Sequence, residues 1–362
     1  MHTEQHLVDV AVIGGGQAGL AAGYFLRRAK ADFVILDDRH RPGGAWPQYW
    51  DSLRLFSPAA HSMLPGWWMP EEEGQEYPSA SHVAWYLGEY ERRYDLPIHR
   101  PVRIRRVEQA DDRLRLVTDG DTWLARRVIS ASGTWRAPYI PDIPGRDVFA
   151  GRQLHTVDYR RPGEFAAQRV VVVGGGNSAA QILAELSTVA QTIWTTSRPP
   201  RFLPDDVDGR ALFAIATGSQ KAGNQGGPRP KSIGDLGDIV VVPSVREARE
   251  RGALKAEPMF DHLTHSGVAW ADGSTMGCDV ILWCTGFRPV LGHLEPLGIV
   301  GGQGRVAVEG TRAVAEPRLH LLGYGDWTGP ASATLIGAAR TAKAAVAQIT
   351  QELEREARTE KA

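Results

Sequence analysis

Cysteine is almost missing from this chain. Its 362 residues hold only Cys278 and Cys284, with no C-x-x-C pair, which excludes a disulfide framework and a redox dithiol and points to a reducing compartment. A long apolar run is missing too: no stretch approaches the ~20 residues that a bilayer-spanning helix needs. The apolar segment near the N-terminus breaks at Gly14-Gly15-Gly16, so it reads as a strand entering a turn and not as a signal peptide. One-sided charge is absent as well. With 41 Lys+Arg against 42 Asp+Glu the formal net charge is −1, so nothing recruits nucleic acid or an anionic membrane. Nor does any spacing of His, Cys, Asp and Glu suggest a metal site. A cytoplasmic protein acting on a small molecule is expected, and self-association is left open. The remaining composition, 43% hydrophobic and 23% charged, is that of an ordinary globular chain. Its one excess is 11 Trp, residues that suit cores and flat aromatic ligands alike.

What is present is a repeated pattern. Residues 8–13 are apolar at nearly every position, as a strand buried on both faces should be. A glycine turn follows, then helical spacing over 20–29 and a second buried strand at 33–36. The same order returns with a strand at 170–173, glycines at 174–176, a helix at 181–189 and a strand at 192–195. A period of roughly 160 residues is too long for a solenoid and implies two domains of one architecture. Between the copies, 82–94 reads as an amphipathic helix with Val83, Tyr86, Leu87, Tyr90 and Tyr94 on one face. Half-exposed strands are expected at 102–107 and 114–117, a short buried strand at 128–131, and a linker at 136–145. Residues 218–237 read as a surface loop. Later come buried strands at 280–283 and 319–322 and a long Ala-rich helix at 331–354.

The chemistry lies in the turns. Gly14-x-Gly16-x-x-Gly19, with Gln17 and Ala18 inside it, follows a strand and opens a helix. Its glycines permit the tight turn, the approach of a pyrophosphate and close helix–strand packing, and the helix N-terminus offers free N–H groups to phosphate. Asp37, with Asp38 as its competitor, ends the second strand where a carboxylate accepts from ribose hydroxyls. The second copy, Gly174-x-Gly176-Asn177-Ser178-Ala179, uses Ala in the third position. Its second strand ends without a carboxylate, at Thr195-Thr196-Ser197-Arg198. Thr196 or Ser197 can donate to a 2′-phosphate and Arg198 can pair with it, with Arg201 a second candidate and a solvated surface arginine the competing reading of Arg198. NADPH is expected there, with FAD at the first copy. A flavin also needs a contact to its ribityl chain and a positive pole near its ring. Gly325-Asp326 and the helix start around Ala333-Thr334 supply them, and Gly43-Gly44-Ala45-Trp46 lets backbone run close by. Because Gly325-Asp326 follows the second copy, the FAD domain must be interrupted and then resume.

These residues resemble a known family. Phe149-x-Gly151-x-x-x-His155-x-x-x-Tyr159 matches the fingerprint of class B flavin monooxygenases, and Tyr159 at its end is similar to the flavin-containing monooxygenase branch. The resemblance extends over Gly43 to Trp46, Cys284-Thr285-Gly286-Phe287 and Gly325-Asp326-Trp327. The segments 51–58 and 202–210 look like the ArsO subgroup encoded beside arsenic-resistance genes. The resemblance implies a flavin C4a-hydroperoxide that passes one oxygen to a soft nucleophile (S, N or trivalent arsenic). Within it, His155 is implied to be structural and domain-coupling. One departure stands out: where many members carry an Asn near the flavin, this chain has Phe56, which cannot hydrogen-bond an oxygen adduct. Ser57, Asn177 or the bound NADP itself is then the expected donor, with His61 a weaker catalytic candidate.

The expectation is therefore an α/β chain with two doubly wound, Rossmann-like domains, the NADPH domain (159–278) inserted in an FAD domain (1–158 and 279–362). A flavin-dependent NADPH oxidase, or a quinone- or ferredoxin-type reductase without hydroxylation, is the alternative. A ligand-binding redox sensor is the third reading.

Overall fold

The computed structural model describes residues 4–205, 207 and 238–359; the loop expected at 218–237 lies outside them. In chain order the elements are β1 (Gln5–Ile13), α1 (Gln17–Arg28), β2 (Phe33–Leu36), α2 (Ala80–Arg93), β3 (Ile98–His99), β4 (Arg106–Ala110), β5 (Arg113–Val117), β6 (Thr122–Ser130), β7 (Arg152–His155), β8 (Arg169–Val173), α3 (Asn177–Leu186) and β9 (Gln191–Thr196). There follow α4 (Pro243–Glu250), β10 (Ala256–Pro258), β11 (His262–Thr264), β12 (Gly267–Ala269), β13 (Thr275–Gly277), β14 (Val280–Trp283), β15 (Val308–Glu309), β16 (Arg312–Ala313), β17 (Leu319–Leu321) and α5 (Leu335–Thr359). Two compact units emerge: Met1–Pro47 with Pro58–Ala137 and Arg288–Ala362, and Gln48–Ser57 with Pro138–Phe287. Strand β7, which falls before the expected domain boundary at 158, pairs in parallel with β14 in the second unit.

The first unit is built on a sheet in the order β15-β16-β17-β6-β1-β2-β3. Strands β17, β6, β1, β2 and β3 run parallel. The last four residues of β1 and all of β2 are buried, which is why both read as unbroken apolar runs. Strand β6 serves three neighbours: β1 along its whole length, the antiparallel β4–β5 meander at its start, and β17 at its end. The sequence showed only its buried tail as a strand, because residues 122–127 alternate between buried and half-exposed. Val102 stays out of β4 because its N–H donates to the Asp37 carbonyl at 2.7 Å. Helix α5 begins four residues later than expected. Ala331 has φ +56°, a left-handed conformation that no helix contains, and the Thr334 hydroxyl caps the helix by accepting from Gly337 N–H at 3.0 Å. No helix of the described residues is long and apolar enough to cross a membrane.

The second unit carries a parallel five-stranded sheet in the order β10-β9-β8-β14-β7 and a separate antiparallel meander, β11-β12-β13. Residues 170–173 of β8 and all of β14 are buried, and Phe149, Phe260 and Trp283 share their core. Both units are doubly wound α/β layers, each with a glycine turn between a buried parallel strand (β1, β8) and the helix that follows it.

Candidate dinucleotide sites

The first site grows from the turn after β1. Gly14 has φ +105°, and a Cβ there would lie 2.5 Å from the Ala131 carbonyl oxygen; one at Gly19 would collide with the Gly14 carbonyl. Only glycine lets α1 start so close to the strands. Gly16 is the N-cap of α1 and gives no side-chain cap, so the first-turn N–H groups stay available to an anion. A Cβ on Gly44 would lie 2.9 Å from the Gly16 Cα, which makes the two bare glycines walls of one cradle.

Gln17 ties the site together. Its amide accepts from Trp46 Nε1 at 3.0 Å and donates to the Ala333 carbonyl at 2.6 Å, joining the fingerprint helix to the Gly43–Trp46 turn and to the turn before α5. Ala18 is buried and would sit 2.8 Å from a Cβ on Gly323, just ahead of Gly325-Asp326. Asp326 is exposed, and its carboxylate accepts from Ala331 N–H at 3.3 Å. Three of the expected segments thus meet around α1. Asp37 lies below the same turn, only 3% exposed. It accepts from Arg100, whose Nε is 2.9 Å away and whose other nitrogens hold Glu91 at 2.9 and 3.0 Å. Asp38 instead meets Arg136 at 3.0 Å and Arg39 at 3.8 Å. Arg100 was not legible in the sequence, since its partners lie 63 and 9 positions away.

Behind this site runs a buried relay. Ser132 Oγ donates to the Val290 carbonyl at 2.7 Å, so at its 2.7 Å contact with Tyr324 the phenol donates. Ser130 Oγ must then donate to Tyr324 at 2.7 Å and accept from His293 Nε2 at 3.0 Å. Burial pushes His293 down to about 4, consistent with a neutral ring carrying its proton on Nε2.

The residues fit a flavin dinucleotide: an uncapped helix start, a cradle that a Cβ would fill, and a buried carboxylate at the end of β2.

The second site repeats the plan. Gly174 has φ +133°, a Cβ there would strike the Cys284 carbonyl, and Trp194 Nε1 donates to the Gly174 carbonyl at 2.6 Å. Gly176 caps α3 without a side chain, Ser178 is half-buried, and Ala179 is fully buried. Asn177, an expected catalytic donor, has both amide ends engaged: Nδ2 donates to the Asp238 carbonyl at 3.2 Å and Oδ1 accepts from Val240 N–H at 2.8 Å. Ser197 and Arg198 are exposed after β9. Arg198 is 3.6 Å from the Asp238 carboxylate, which Arg201 also holds at 3.0 Å.

The fingerprint from Phe149 to Tyr159 belongs to this unit. Gly151 is needed because a Cβ would lie 2.6 Å from the Asp279 carbonyl. His155 Nδ1 accepts from Val157 N–H at 3.3 Å, and Nε2 donates to the Gly286 carbonyl at 3.0 Å. Burial lowers its pKa, and both ring nitrogens are engaged by the backbone of its own unit. Tyr159 donates to Glu185 at 2.6 Å, and Ser52 Oγ donates to the same carboxylate at 2.5 Å. Arg160 donates to the carbonyls of Gln48 and Tyr49 at 2.6 and 2.9 Å. These contacts hold the Gln48–Ser57 segment, with half-buried Phe56 and Ser57, on the second unit. His61 belongs to the first unit, half-buried. Glu4, His6 and Asp121, which no sequence spacing marks, come within 4.8 Å of one another at the start of β1, half to fully exposed.

A chain with two such glycine turns, each between a buried strand and an uncapped helix, is a two-dinucleotide oxidoreductase. It belongs to the family described as pyridine nucleotide-disulphide oxidoreductase, whose pattern matches residues 11–205, and within it to the flavin monooxygenases. A solved flavin-containing monooxygenase from Stenotrophomonas maltophilia is 51% identical, covering 96% of this chain and 99% of that one, with a TM-score of 0.88. An uncharacterized CzcO-like oxidoreductase of Geobacillus kaustophilus is 31% identical over 78% of this chain and 81% of its own length. A bacillithiol disulfide reductase from Bacillus cereus shares the fold at 18% identity, with a TM-score of 0.72 over 96% of this chain.

Proposed function

We propose that this protein is an NADPH- and O2-dependent monooxygenase, with FAD held by the first unit and NADPH by the second. The observation that carries this over a disulfide reductase is the state of the thiols. Burial pushes Cys278 up to about 11 and Cys284 up to about 12, and strand β14 separates them. Neither supplies the thiolate that thiol–disulfide exchange requires, so reducing equivalents leave by another route. Flavin held in the first unit would supply the redox and oxygen-transfer chemistry, with NADPH as reductant and O2 as co-substrate, toward a soft nucleophile such as sulfur, nitrogen or trivalent arsenic. This chain's residues bind and orient. The first turns of α1 and α3 take the two pyrophosphates, Asp37 takes an adenosine ribose, and Asp326 and the 331–334 turn take the ribityl side. Ser57 is the proposed donor to the reacting oxygen. Free cysteines accord with a cytoplasmic setting.

A second reading, NADPH oxidation without hydroxylation, is favoured by one specific feature. Phe56 stands where an amide donor is expected, and the Asn177 amide is already engaged. Rapid mixing of the NADPH-reduced protein with O2 separates the two. Oxygenation of a sulfide with a lag before the oxidised flavin spectrum returns supports the proposal. Immediate return with stoichiometric H2O2, whatever sulfide or amine is offered, refutes it.

A further inference from the structure

We propose that Asp238 is a specificity-determining residue of the second dinucleotide site. It supplies the carboxylate that β9 lacks and thereby sets how strongly a 2′-phosphate is preferred. The inference rests on the reading above that Arg198 faces the adenosine ribose of the pyridine nucleotide.

In a doubly wound fold, the residue ending the strand after the phosphate-binding helix is the one that meets the ribose. Here that strand ends Thr195-Thr196 and is followed by Ser197-Arg198, with no acid. The tertiary structure brings one from 40 positions further on. Asp238 N–H donates to the Arg201 carbonyl at 2.8 Å, and its own carbonyl accepts from the Asn177 amide at 3.2 Å. Asn177 is the first residue of α3, directly after the glycine turn. Asp238 is thus anchored on one side to the start of the phosphate-binding helix and on the other to the chain leaving β9.

Among the described residues, its carboxylate holds two cations. Arg201 binds it through two nitrogens, Nε at 3.1 Å and a terminal nitrogen at 3.0 Å, and Arg198 lies 3.6 Å away. The carboxylate is 25% exposed, the Arg198 side chain 71%. A free 2′-hydroxyl can donate to such a carboxylate, whereas a 2′-phosphate needs the arginine forks and meets Asp238 as a like charge already bound to them. Arg198 alone makes the site select NADPH; Arg198, Arg201 and Asp238 together make a reader that admits a bare ribose and moderates the preference for phosphate.

The test is calorimetric titration of the flavin-loaded protein with 2′,5′-ADP and with ADP, which needs no turnover. Exposed pairs contribute modestly, so D238N is expected to shift the affinity ratio toward 2′,5′-ADP by about three- to fivefold, while D238E, which keeps the charge, restores the original ratio. R198A is expected to shift it the other way. If D238N leaves the ratio unchanged, or moves both affinities equally, while R198A lowers the preference for 2′,5′-ADP, the role of Asp238 is refuted and the reading of Arg198 stands. If neither variant moves the ratio, both fall together.

Discussion

Gln17 offers the sharpest test of whether the first unit's three turns act as one site. Replacing it by Leu removes both polar ends at nearly constant volume. Trp46 Nε1 then loses an acceptor at 3.0 Å in a part-buried setting, and the Ala333 carbonyl loses a donor at 2.6 Å in an exposed one. A part-buried neutral hydrogen bond contributes about 1 kcal/mol net and an exposed one about half that. Their sum, about 1.5 kcal/mol, corresponds to roughly a tenfold change in an equilibrium constant. The Q17L apoprotein should therefore bind FAD about tenfold more weakly, read from quenching of flavin fluorescence on titration, with the circular dichroism of the fold unchanged. Both turns depend on this one amide, so the loss should appear mainly as faster FAD dissociation. A dissociation constant within twofold of the parent, on a correctly folded protein, would mean that the turns are ordered without Gln17, and the argument for a single cradle would be wrong.

Other expectations follow from the same geometry. Gly174→Ala puts a Cβ into the Cys284 carbonyl at a left-handed backbone position, so NADPH should reduce the flavin with a KM raised at least about tenfold, while flavin content stays at one per chain. Tyr159→Phe deprives the half-buried Glu185 of one of two hydroxyl donors and should cost about 1.5 kcal/mol in urea unfolding, the low end of the range for a hydrogen bond to a charged group. Burial raises the Glu185 pKa in the folded state, against the hydrogen bonds from Ser52 and Tyr159. Between the unfolded and folded values the folded protein binds more protons, so this group's contribution to stability falls as pH rises through that window; Glu185→Gln should remove that slope. With thiols pushed up to about 11 and 12, roughly one Cys278 in a thousand is thiolate at pH 8. Iodoacetamide should therefore leave the native protein unmodified for hours and label both cysteines on unfolding. Rapid labelling without unfolding would count against the thiol argument.

Several features are legible in the amino-acid order alone, for a local reason. Turns at Gly14–Gly19 and Gly174–Ala179 need glycine or alanine at fixed offsets because backbone meets backbone there, and the adjoining strands are apolar throughout because parallel sheets are covered on both faces. Such constraints are written within about thirty consecutive residues, so composition and spacing expose them. The scarcity of cysteine excluded dithiol chemistry in the same direct way. The boundaries of β6 and α5 were less legible, since alternating burial hides the first half of β6 and a left-handed residue at Ala331 delays α5.

What only the tertiary structure decided is which distant groups share a site. Nothing in the sequence joins Arg100 to Asp37, Gln17 to Ala333, or Tyr159 to Ser52 through Glu185. Nor does it show that Asn177, which looked like a free donor, spends its amide on the backbone at 238–240. The second site shows the limit most plainly. The end of β9 displays an arginine and no acid, which by itself argues for a 2′-phosphate. Chain folding returns Asp238 to that arginine, because a carboxylate and two guanidinium groups brought within a few ångströms stabilise one another whatever their separation along the chain.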